Sequence, residues 1–280
     1  MKIQWFPGHM QKATRRIKED LSIIDILIEI IDARAPISSR NIELEKLFVN
    51  KKTLLIINKI DLISKEKIIE LKEYYNSNNY IYIMLDSRKN DIKNQVDKKI
   101  DILCEEIYEK RRKKGIKDIK IKALVFGMPN VGKSTFINSY VRKKVANTGD
   151  TPGVTKDKSW IRISNKLELL DTPGISETKF DNDIKGINLS LIGSIKDQNV
   201  NIEEVVLYFI KYMKEKYPKL LEERYNIIEI NKKNELEVYD EIAKKNNCIK
   251  SNTKYIDYEK CAKIILRDFR QGSLGKISLE

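Results

Sequence analysis

A glycine-rich segment at residues 127–134 limits the fold of this chain more than any other feature. Its sequence is Gly-Met-Pro-Asn-Val-Gly-Lys-Ser, and it lies between an apolar run at 123–126 and residues with helical spacing. In a strand–loop–helix of this form, backbone N–H groups and the helix N-terminus bind a phosphate. Lys133 is then expected to reach the β- and γ-phosphates, and the Ser134 hydroxyl to bind Mg²⁺. The residues predicted to contact the nucleotide here are Asn130, Val131, Gly132, Lys133, Ser134 and Thr135.

A second motif, Asn58-Lys59-Ile60-Asp61, predicts which base is bound. It follows the β-rich run at 53–57, which is typical of a strand buried on both faces of a parallel sheet. The Asp61 carboxylate can accept hydrogen bonds from the guanine N1–H and exocyclic amino group together, and adenine has no such donor pair. Asn58 is expected to hold the loop, with the Lys59 stem along the ring face. Together with the phosphate loop, these four residues predict GTP rather than ATP.

Three further segments complete a predicted GTP site. The turn at Asp86 and Ser87, after the next predicted strand, is expected to offer a backbone N–H to the guanine O6. The segment at 145–158 is rich in helix and strand breakers and is typical of a switch, in which Thr155 completes the Mg²⁺ coordination. Asp171-Thr-Pro-Gly174 has the form D-x-x-G. In it, Asp171 acts on Mg²⁺ through water and the Gly174 N–H binds the γ-phosphate.

The order of these motifs is rotated relative to most GTPases. Usually the phosphate loop comes first, followed by the switch threonine, D-x-x-G, N-K-x-D and the guanine-edge turn. Here the last two come first. The rotation is permissible because the termini of a compact α/β domain lie close together, and the basic segment at 109–122 is the expected new joint. The sequence therefore predicts an α/β fold: a circularly permuted P-loop GTPase domain at 1–178 and a small helical C-terminal domain at 179–280.

The charge of the chain favours a polyanionic partner. The net charge is +13, and 34% of the residues are charged, against about 25% in typical soluble domains. Nucleic acid ranks first and an acidic membrane surface second, although AT-rich coding would produce part of the lysine surplus. The last predicted helix carries a basic stripe that suits an RNA backbone, with a plain amphipathic surface helix as the alternative. The stripe consists of Lys260, Lys263, Arg267 and Arg270.

Cysteine usage and hydropathy indicate the compartment. Cys104, Cys248 and Cys261 are scattered and form no CxxC pair, which fits a reducing cytosol and argues against a disulfide framework or a zinc site. No apolar run approaches the ~18 residues of a membrane span, and the N-terminus lacks a signal-peptide pattern. We expect a cytoplasmic protein without a membrane span, whose nucleic-acid partner is RNA and not DNA.

These motifs together resemble the circularly permuted GTPases of the YlqF/YawG type and, more narrowly, bacterial ribosome biogenesis GTPase A. The resemblance is carried by Ile-Gln-Trp-Phe-Pro-Gly-His-Met at 3–10, by Asp-Ala-Arg-Ala-Pro-Ile-Ser-Ser-Arg at 32–40 and by the nucleotide motifs. It implies GTP-driven late assembly of the large (50S) ribosomal subunit, with nucleotide-dependent binding to the subunit precursor and its rRNA. It also implies hydrolysis that is slow alone and stimulated by the large subunit, and a monomer off the ribosome.

The catalytic group is the gap in this assignment. Ras-type enzymes place a water-orienting Gln directly after D-x-x-G, and Ile175 occupies that position here. The resemblance makes His9 the candidate to hold the attacking water, because a neutral imidazole can do so. Lys133 and Thr155 are the other residues predicted to take part in catalysis. A helix cap or a packing residue is the alternative role for His9. Asn130 resembles the P-loop residue of GTPases that use K⁺ to neutralise charge.

Two other functions stay open at this point. One is a GTP-gated RNA-binding module that hydrolyses too slowly to cycle unaided. The other is a GTPase that acts on tRNA or mature ribosomes. The assembly function predicts that large-subunit particles stimulate GTP hydrolysis. The RNA-binding module predicts nucleotide-dependent binding without stimulation. The GTPase that acts on tRNA or mature ribosomes predicts stimulation by other RNA.

Overall fold

A six-stranded sheet forms the centre of the first part of the chain. The computed structural model describes residues 22–48, 50–89, 92–143, 159–163, 166–171, 183–251 and 253–280. The strands are β1 (Ile26–Asp32), β2 (Lys52–Asn58), β3 (Tyr82–Leu85), β4 (Ile121–Phe126), β5 (Ser159–Arg162) and β6 (Leu167–Asp171). Their order across the sheet is β3-β2-β1-β4-β6-β5. All neighbours are parallel except β5, which runs antiparallel to β6.

The central strand β1 is buried along all seven residues. It lies between β2 and β4, which explains its run of isoleucines and leucines. Its one internal charge, Glu29, is fully buried and accepts hydrogen bonds from Arg40 Nε (2.7 Å) and the Asn41 N–H (2.8 Å). Burial raises the pKa of Glu29, and the Arg40 guanidinium opposes that rise.

Four helices accompany the sheet in this part of the described chain: α1 (Ile42–Lys46), α2 (Lys65–Ser77), α3 (Lys93–Lys113) and α4 (Lys133–Val141). The Ser64 side chain caps α2 by accepting from the Lys67 N–H at 3.2 Å. On α3, the apolar residues Val96, Ile100 and Leu103 recur at helical spacing and are buried against the sheet.

The basic joint is shorter than the sequence predicts. Residues 109–113 belong to α3, and the helix ends with Gly115 in the left-handed region (φ +75°). Lys, Arg and Glu are good helix formers, so a run of them extends a helix rather than ending it. Arg111 then donates to Asp25 Oδ1 (2.6 Å) and to the Lys120 carbonyl (2.7 Å). The joint therefore comprises residues 114–120.

The C-terminal part is helical, as predicted. Its helices are α5 (Asp183–Leu191), α6 (Ile202–Lys216), α7 (Pro218–Tyr225), α8 (Glu235–Lys245) and α9 (Tyr258–Gln271). The apolar faces of α6 and α9 are both buried and meet at Phe209 and Phe269, whose ring centroids lie 4.9 Å apart. Pro218 ends the α6 run and begins α7.

The segment at 226–240 contains no strand. Ile230–Lys232 forms a single 3₁₀ turn, and α8 begins after Asn234. The side chains of Asn234 and Glu237 form a reciprocal capping box that fixes this start.

The end of the described chain returns to the sheet. The Ile277 N–H donates to the Leu62 carbonyl (3.0 Å), and the Leu279 N–H to the Arg34 carbonyl (2.7 Å). The helical part is thus held against the loops that follow β1 and β2. The predicted boundary between the two domains at residue 178 stays a prediction. No helix in the described ranges is long and apolar enough to cross a membrane.

Candidate nucleotide site

The loop between β4 and α4 approaches two neighbouring segments closely. Gly127 has φ +153°, and a Cβ there would lie 2.3 Å from the Ile30 carbonyl oxygen. Gly132 has φ +102°, and a Cβ there would lie 2.2 Å from Asn58 Nδ2. Neither position accepts a side chain. The helix α4 begins directly after this loop, which is the arrangement that binds phosphate groups.

The Lys133 ammonium lies inside this loop. Lys133 is buried, and its Nζ donates to the carbonyl oxygens of Met128 (2.9 Å) and Gly127 (3.2 Å). A phosphate group in the loop would offer the ammonium a stronger, charged acceptor. Ser134 and Thr135 follow it in the first turn of α4 and are half-buried.

Asn58 joins three segments of the site. Its Nδ2 donates to the Val131 carbonyl (2.8 Å) in the phosphate loop. Its Oδ1 accepts from the Ser87 N–H (3.0 Å) in the turn after β3. Because Asn58 ends β2 and is buried, one side chain sets the distance between all three. The sequence motifs at 58–61, 86–87 and 127–134 therefore meet at one edge of the sheet.

Lys59 points back across the phosphate loop. It has a left-handed backbone (φ +63°), and its Nζ donates to the Asn130 carbonyl at 2.6 Å. The same ammonium lies 2.9 Å from Asp32 Oδ2. Burial alone would raise the pKa of Asp32, but Arg34 and Lys59 outweigh it and hold the pKa below its ordinary value. Asp32 lies in the motif at 32–40, whose sequence alone gives no sign of this role.

Asp61 has an oxygen that suits a guanine. Its Oδ1 is buried and accepts no hydrogen bond from any described residue. Such an orphaned acceptor costs about 1–3 kcal/mol. Guanine presents adjacent N1–H and amino donors, which would satisfy it. The residues present therefore fit the base predicted from the sequence.

Arg88 is a residue of this site that the sequence motifs do not reveal. Its NH2 group donates to Asp61 Oδ2 (2.6 Å), and its guanidinium also pairs with Asp86 (Nε to Oδ1, 2.9 Å). The hydrogen bond from Arg88 lowers the pKa of Asp86. The Arg88 side chain is 67% exposed, so a base that takes over Asp61 Oδ2 displaces a pair worth about 0–1 kcal/mol.

The amides of the turn after β3 have partners within the chain. The Ser87 N–H donates to Asn58, and the Arg88 N–H to Asp86 Oδ1 (3.0 Å). The Ser139 hydroxyl of α4 donates to the Ser87 carbonyl (2.5 Å) and fixes the turn against the phosphate helix. The role of Asp86 and Ser87 at the guanine O6 stays a prediction.

Several predicted site residues lie outside the described ranges: His9, Thr155, Gly174 and Ile175. Asp171 ends β6, and the strand register pairs it with Val125, one residue before the end of β4. Its backbone thus lies beside the start of the phosphate loop. Of the three predicted Mg²⁺ ligands, Ser134 is the one with a described side chain, so the Mg²⁺ site stays a prediction.

The phosphate loop also touches the helical part. The Asn130 Nδ2 donates to the Gly193 carbonyl (2.7 Å), and the Ser194 hydroxyl to the Pro129 carbonyl (2.6 Å). Gly193 and Ser194 form the turn that follows α5. The amide predicted to help bind K⁺ therefore also holds a contact between the two parts.

The basic stripe on α9 is shorter than the sequence suggests. Arg270 turns inward: its guanidinium donates to the carbonyls of Ser190 (2.8 Å) and Leu191 (3.1 Å) and pairs with Asp197 (2.7 Å). Helical spacing places Arg270 in line with the stripe but does not reveal partners 73 or more residues away. Lys260, Lys263 and Arg267 are exposed and form the remaining stripe.

Comparison with known proteins identifies the family. A family model described as "50S ribosome-binding GTPase" matches residues 122–243. The chain is 39% identical over 280 residues to ribosome biogenesis GTPase A of Bacillus cereus, covering 100% of this chain and 94% of that relative. The chain belongs to the ribosome biogenesis GTPase A family. A probable member from Mycoplasma genitalium is 32% identical over 279 residues, covering 100% of this chain and 97% of that one.

A solved structure agrees with this family at the level of the fold. The GNP-bound YlqF of T. maritima superposes with a TM-score of 0.66 at 22% identity, covering 96% of this chain and 97% of that chain. The prediction of a circularly permuted P-loop GTPase fold with a helical C-terminal region is confirmed. Membership of this family also confirms that the chain is a GTPase that binds guanine nucleotides.

Proposed function

We propose that the chain uses GTP binding and hydrolysis to associate with the precursor of the large ribosomal subunit and to leave it during late assembly. One observation carries the proposal: three motifs far apart in the sequence meet around Asn58, beside an orphaned Asp61 oxygen that suits guanine. The names of the relatives and the family description, with its 50S ribosome, support the choice of partner.

Nucleotide state has a direct path to the helical part. The phosphate loop contacts the turn at Gly193 and Ser194, immediately after α5. The D-x-x-G motif begins at Asp171, and α5 starts at Asp183. Because a bound γ-phosphate orders the D-x-x-G segment in GTPases, its loss changes the chain that leads into α5. This path supports nucleotide-dependent affinity for the subunit.

Mg²⁺ would be held by Ser134 and Thr155, with Asp171 acting through water, and it supplies positive charge on the β- and γ-phosphates. Lys133 adds its ammonium to the same phosphates. The Asn130 amide is our proposed contribution to a K⁺ site. Ile175 has no group that orients water, so His9 is the proposed residue for that role, and slow hydrolysis off the ribosome follows.

The tip of the helical part is our proposed RNA contact. The short hairpin closed by the Ile249–Ile256 bridge carries Tyr255, which is 75% exposed. Lys250 and Lys254 are exposed in the same hairpin and Lys244 is exposed on α8, and none of the three forms an ion pair with any described residue. An exposed ring among unpaired lysines combines base stacking with phosphate attraction, as single-stranded RNA requires. The stripe of Lys260, Lys263 and Arg267 begins beside this hairpin.

The remaining expectations follow from the same proposal. RNA and not DNA is the expected nucleic-acid partner, since rRNA is what an assembling subunit presents. We also expect the protein to be cytoplasmic and to be a monomer off the ribosome.

GTP turnover with purified ribosomal particles tests the proposal. Turnover is measured alone, with large subunits, with small subunits, with intact ribosomes and with tRNA. We expect strong stimulation by large subunits alone. Turnover at the basal rate with every particle would contradict the assembly function and favour a GTP-gated binding module. Equal stimulation by tRNA or intact ribosomes would favour another RNA substrate.

A further inference from the structure

The Asp32-Ala33-Arg34 segment after β1 has contacts that the nucleotide motifs alone do not explain. Asp32 ends the central strand and is fully buried. Its carboxylate accepts from Arg34 Nε (2.9 Å, Oδ1) and Arg34 NH2 (2.8 Å, Oδ2), and it pairs with Lys59 Nζ (2.9 Å). One buried carboxylate therefore holds two cations from different loops.

The charges in this cluster depend on each other. Both cations stabilise the ionised carboxylate and hold the pKa of Asp32 below its ordinary value, despite its burial. Removing one partner of a buried ion pair leaves an uncompensated charge, and the remaining groups then rearrange. Lys59 is the member that belongs to the guanine-recognition motif, and it also donates to the Asn130 carbonyl of the phosphate loop.

Arg34 connects this cluster to the end of α9. It is 1% exposed, and its NH1 donates to the carbonyls of Phe269 (3.2 Å) and Arg270 (3.4 Å). Its guanidinium also lies over the Phe269 ring, 4.9 Å from the centroid. The last carbonyls of a helix lack intrahelical donors and carry partial negative charge, so a buried guanidinium is well placed there.

We propose that Asp32 and Arg34 are positioning residues of the guanine nucleotide site. Asp32 fixes the Lys59 ammonium against the phosphate loop, and Arg34 fixes Asp32 against the C-terminal end of α9. Neither residue touches the nucleotide. The affinity for guanine nucleotides thus depends on a second contact with the helical part, at the C-terminal end of α9, in addition to the contact at Gly193. This inference rests on the nucleotide site proposed above.

Nucleotide binding to the full chain tests the inference. Affinities and dissociation rates of fluorescently labelled GDP and GTP are measured for Asp32→Asn, Lys59→Met and the double variant. Asp32→Asn should weaken both nucleotides by the same factor, about tenfold, since a charged hydrogen bond orients Lys59. The double variant should bind no more weakly than Lys59→Met alone, because Asp32 acts through Lys59.

Glu29→Gln is the matched control. Glu29 is a buried carboxylate on the same strand, and its side-chain partners, Arg40 (2.7 Å) and the Asn41 N–H (2.8 Å), belong to none of the nucleotide motifs. It should lower thermal stability and leave nucleotide affinity within about twofold. Equal losses of affinity in Glu29→Gln and Asp32→Asn would overturn the inference, as would additive losses in the double variant.

Arg34→Lys decides the matter if Asp32→Asn does not fold. It keeps one positive charge but loses the forked geometry that reaches both Asp32 and the α9 carbonyls. We expect the GDP dissociation rate to rise threefold or more, because weakening one hydrogen bond changes a rate by about this factor. Wild-type dissociation in this variant would overturn the inference. Wild-type protein that binds no guanine nucleotide would instead contradict the nucleotide site itself.

Discussion

The side-chain amide of Asn130 donates a hydrogen bond of 2.7 Å to the carbonyl oxygen of Gly193. One residue belongs to the phosphate loop and the other to the turn after α5. The Ser194 hydroxyl adds a second contact, to the Pro129 carbonyl. Any cation or phosphate that reorients the Asn130 amide therefore also changes a contact with the helical part.

The first prediction concerns K⁺. We expect wild-type GTP turnover to be faster in KCl than in NaCl at equal ionic strength, and Asn130→Ala to remove that difference. Ser194→Ala is the matched control, because it removes the neighbouring contact and keeps the Asn130 amide. An Asn130→Ala variant that retains the K⁺ preference would exclude this side chain as a K⁺ ligand.

The second prediction concerns base recognition. Asp61→Asn should lower GDP affinity on the order of a hundredfold, because a charged acceptor of two hydrogen bonds is lost. It should also create binding of xanthosine diphosphate, since xanthine has a carbonyl where guanine has the amino group and an amide can donate to it. Arg88→Gln is the control, because Arg88 is exposed and contacts the same carboxylate. This variant should keep the preference for guanine. Both nucleotides are titrated against each variant.

The local parts of this site could be predicted from sequence. The close approach of the phosphate loop depends on glycines at Gly127 and Gly132, and the residues predicted to contact guanine fall within a four-residue motif, so spacing alone locates both segments. The apolar faces of α6 and α9 follow the helical period in the same way. Where the local geometry depends on neighbours along the chain, sequence patterns are sufficient.

The parts that depend on distant partners could not be predicted. Arg34 contacts carbonyls 235 and 236 residues further along the chain, and its own motif contains no sign of them. Arg270 has the helical spacing of a surface stripe. Its hydrogen bonds to the carbonyls of Ser190 and Leu191, at the end of α5, nevertheless make it a structural residue. The basic joint predicted at 109–122 is shorter in the structure, because residues 109–113 continue α3 and residues 121–122 belong to β4.

The third prediction concerns His9. If its imidazole holds the attacking water, His9→Ala should lower large-subunit-stimulated turnover by about 10²-fold or more, the usual contribution of such a group. Binding to the particle and GTP affinity should stay unchanged, which separates catalysis from docking. His9→Gln, which can still hold a water, is expected to retain part of the activity. Equal rates in wild type and His9→Ala would assign His9 to capping or packing.

The fourth prediction separates the two kinds of basic residue on α9. Arg270 makes hydrogen bonds to two carbonyls and an ion pair with Asp197, so Arg270→Gln leaves several polar groups without partners. We expect its free energy of unfolding to fall by about 2 kcal/mol. Lys263 and Arg267 are exposed, and changing both to Gln should alter stability by less than about 0.5 kcal/mol each. Urea titrations measure both effects.

RNA binding should show the opposite order. Each phosphate contact releases a counterion, so the Lys263→Gln, Arg267→Gln double variant should reduce the slope of log affinity against log salt by about 1 for each side chain. Arg270→Gln should keep the wild-type slope, since its guanidinium is turned inward onto Asp197 and the carbonyls of Ser190 and Leu191. Tyr255→Ala should weaken binding by about 1–3 kcal/mol without changing the slope, because stacking involves no counterion. A slope that changes with Arg270 but not with Lys263 and Arg267 would place the RNA on a different face of the helical part.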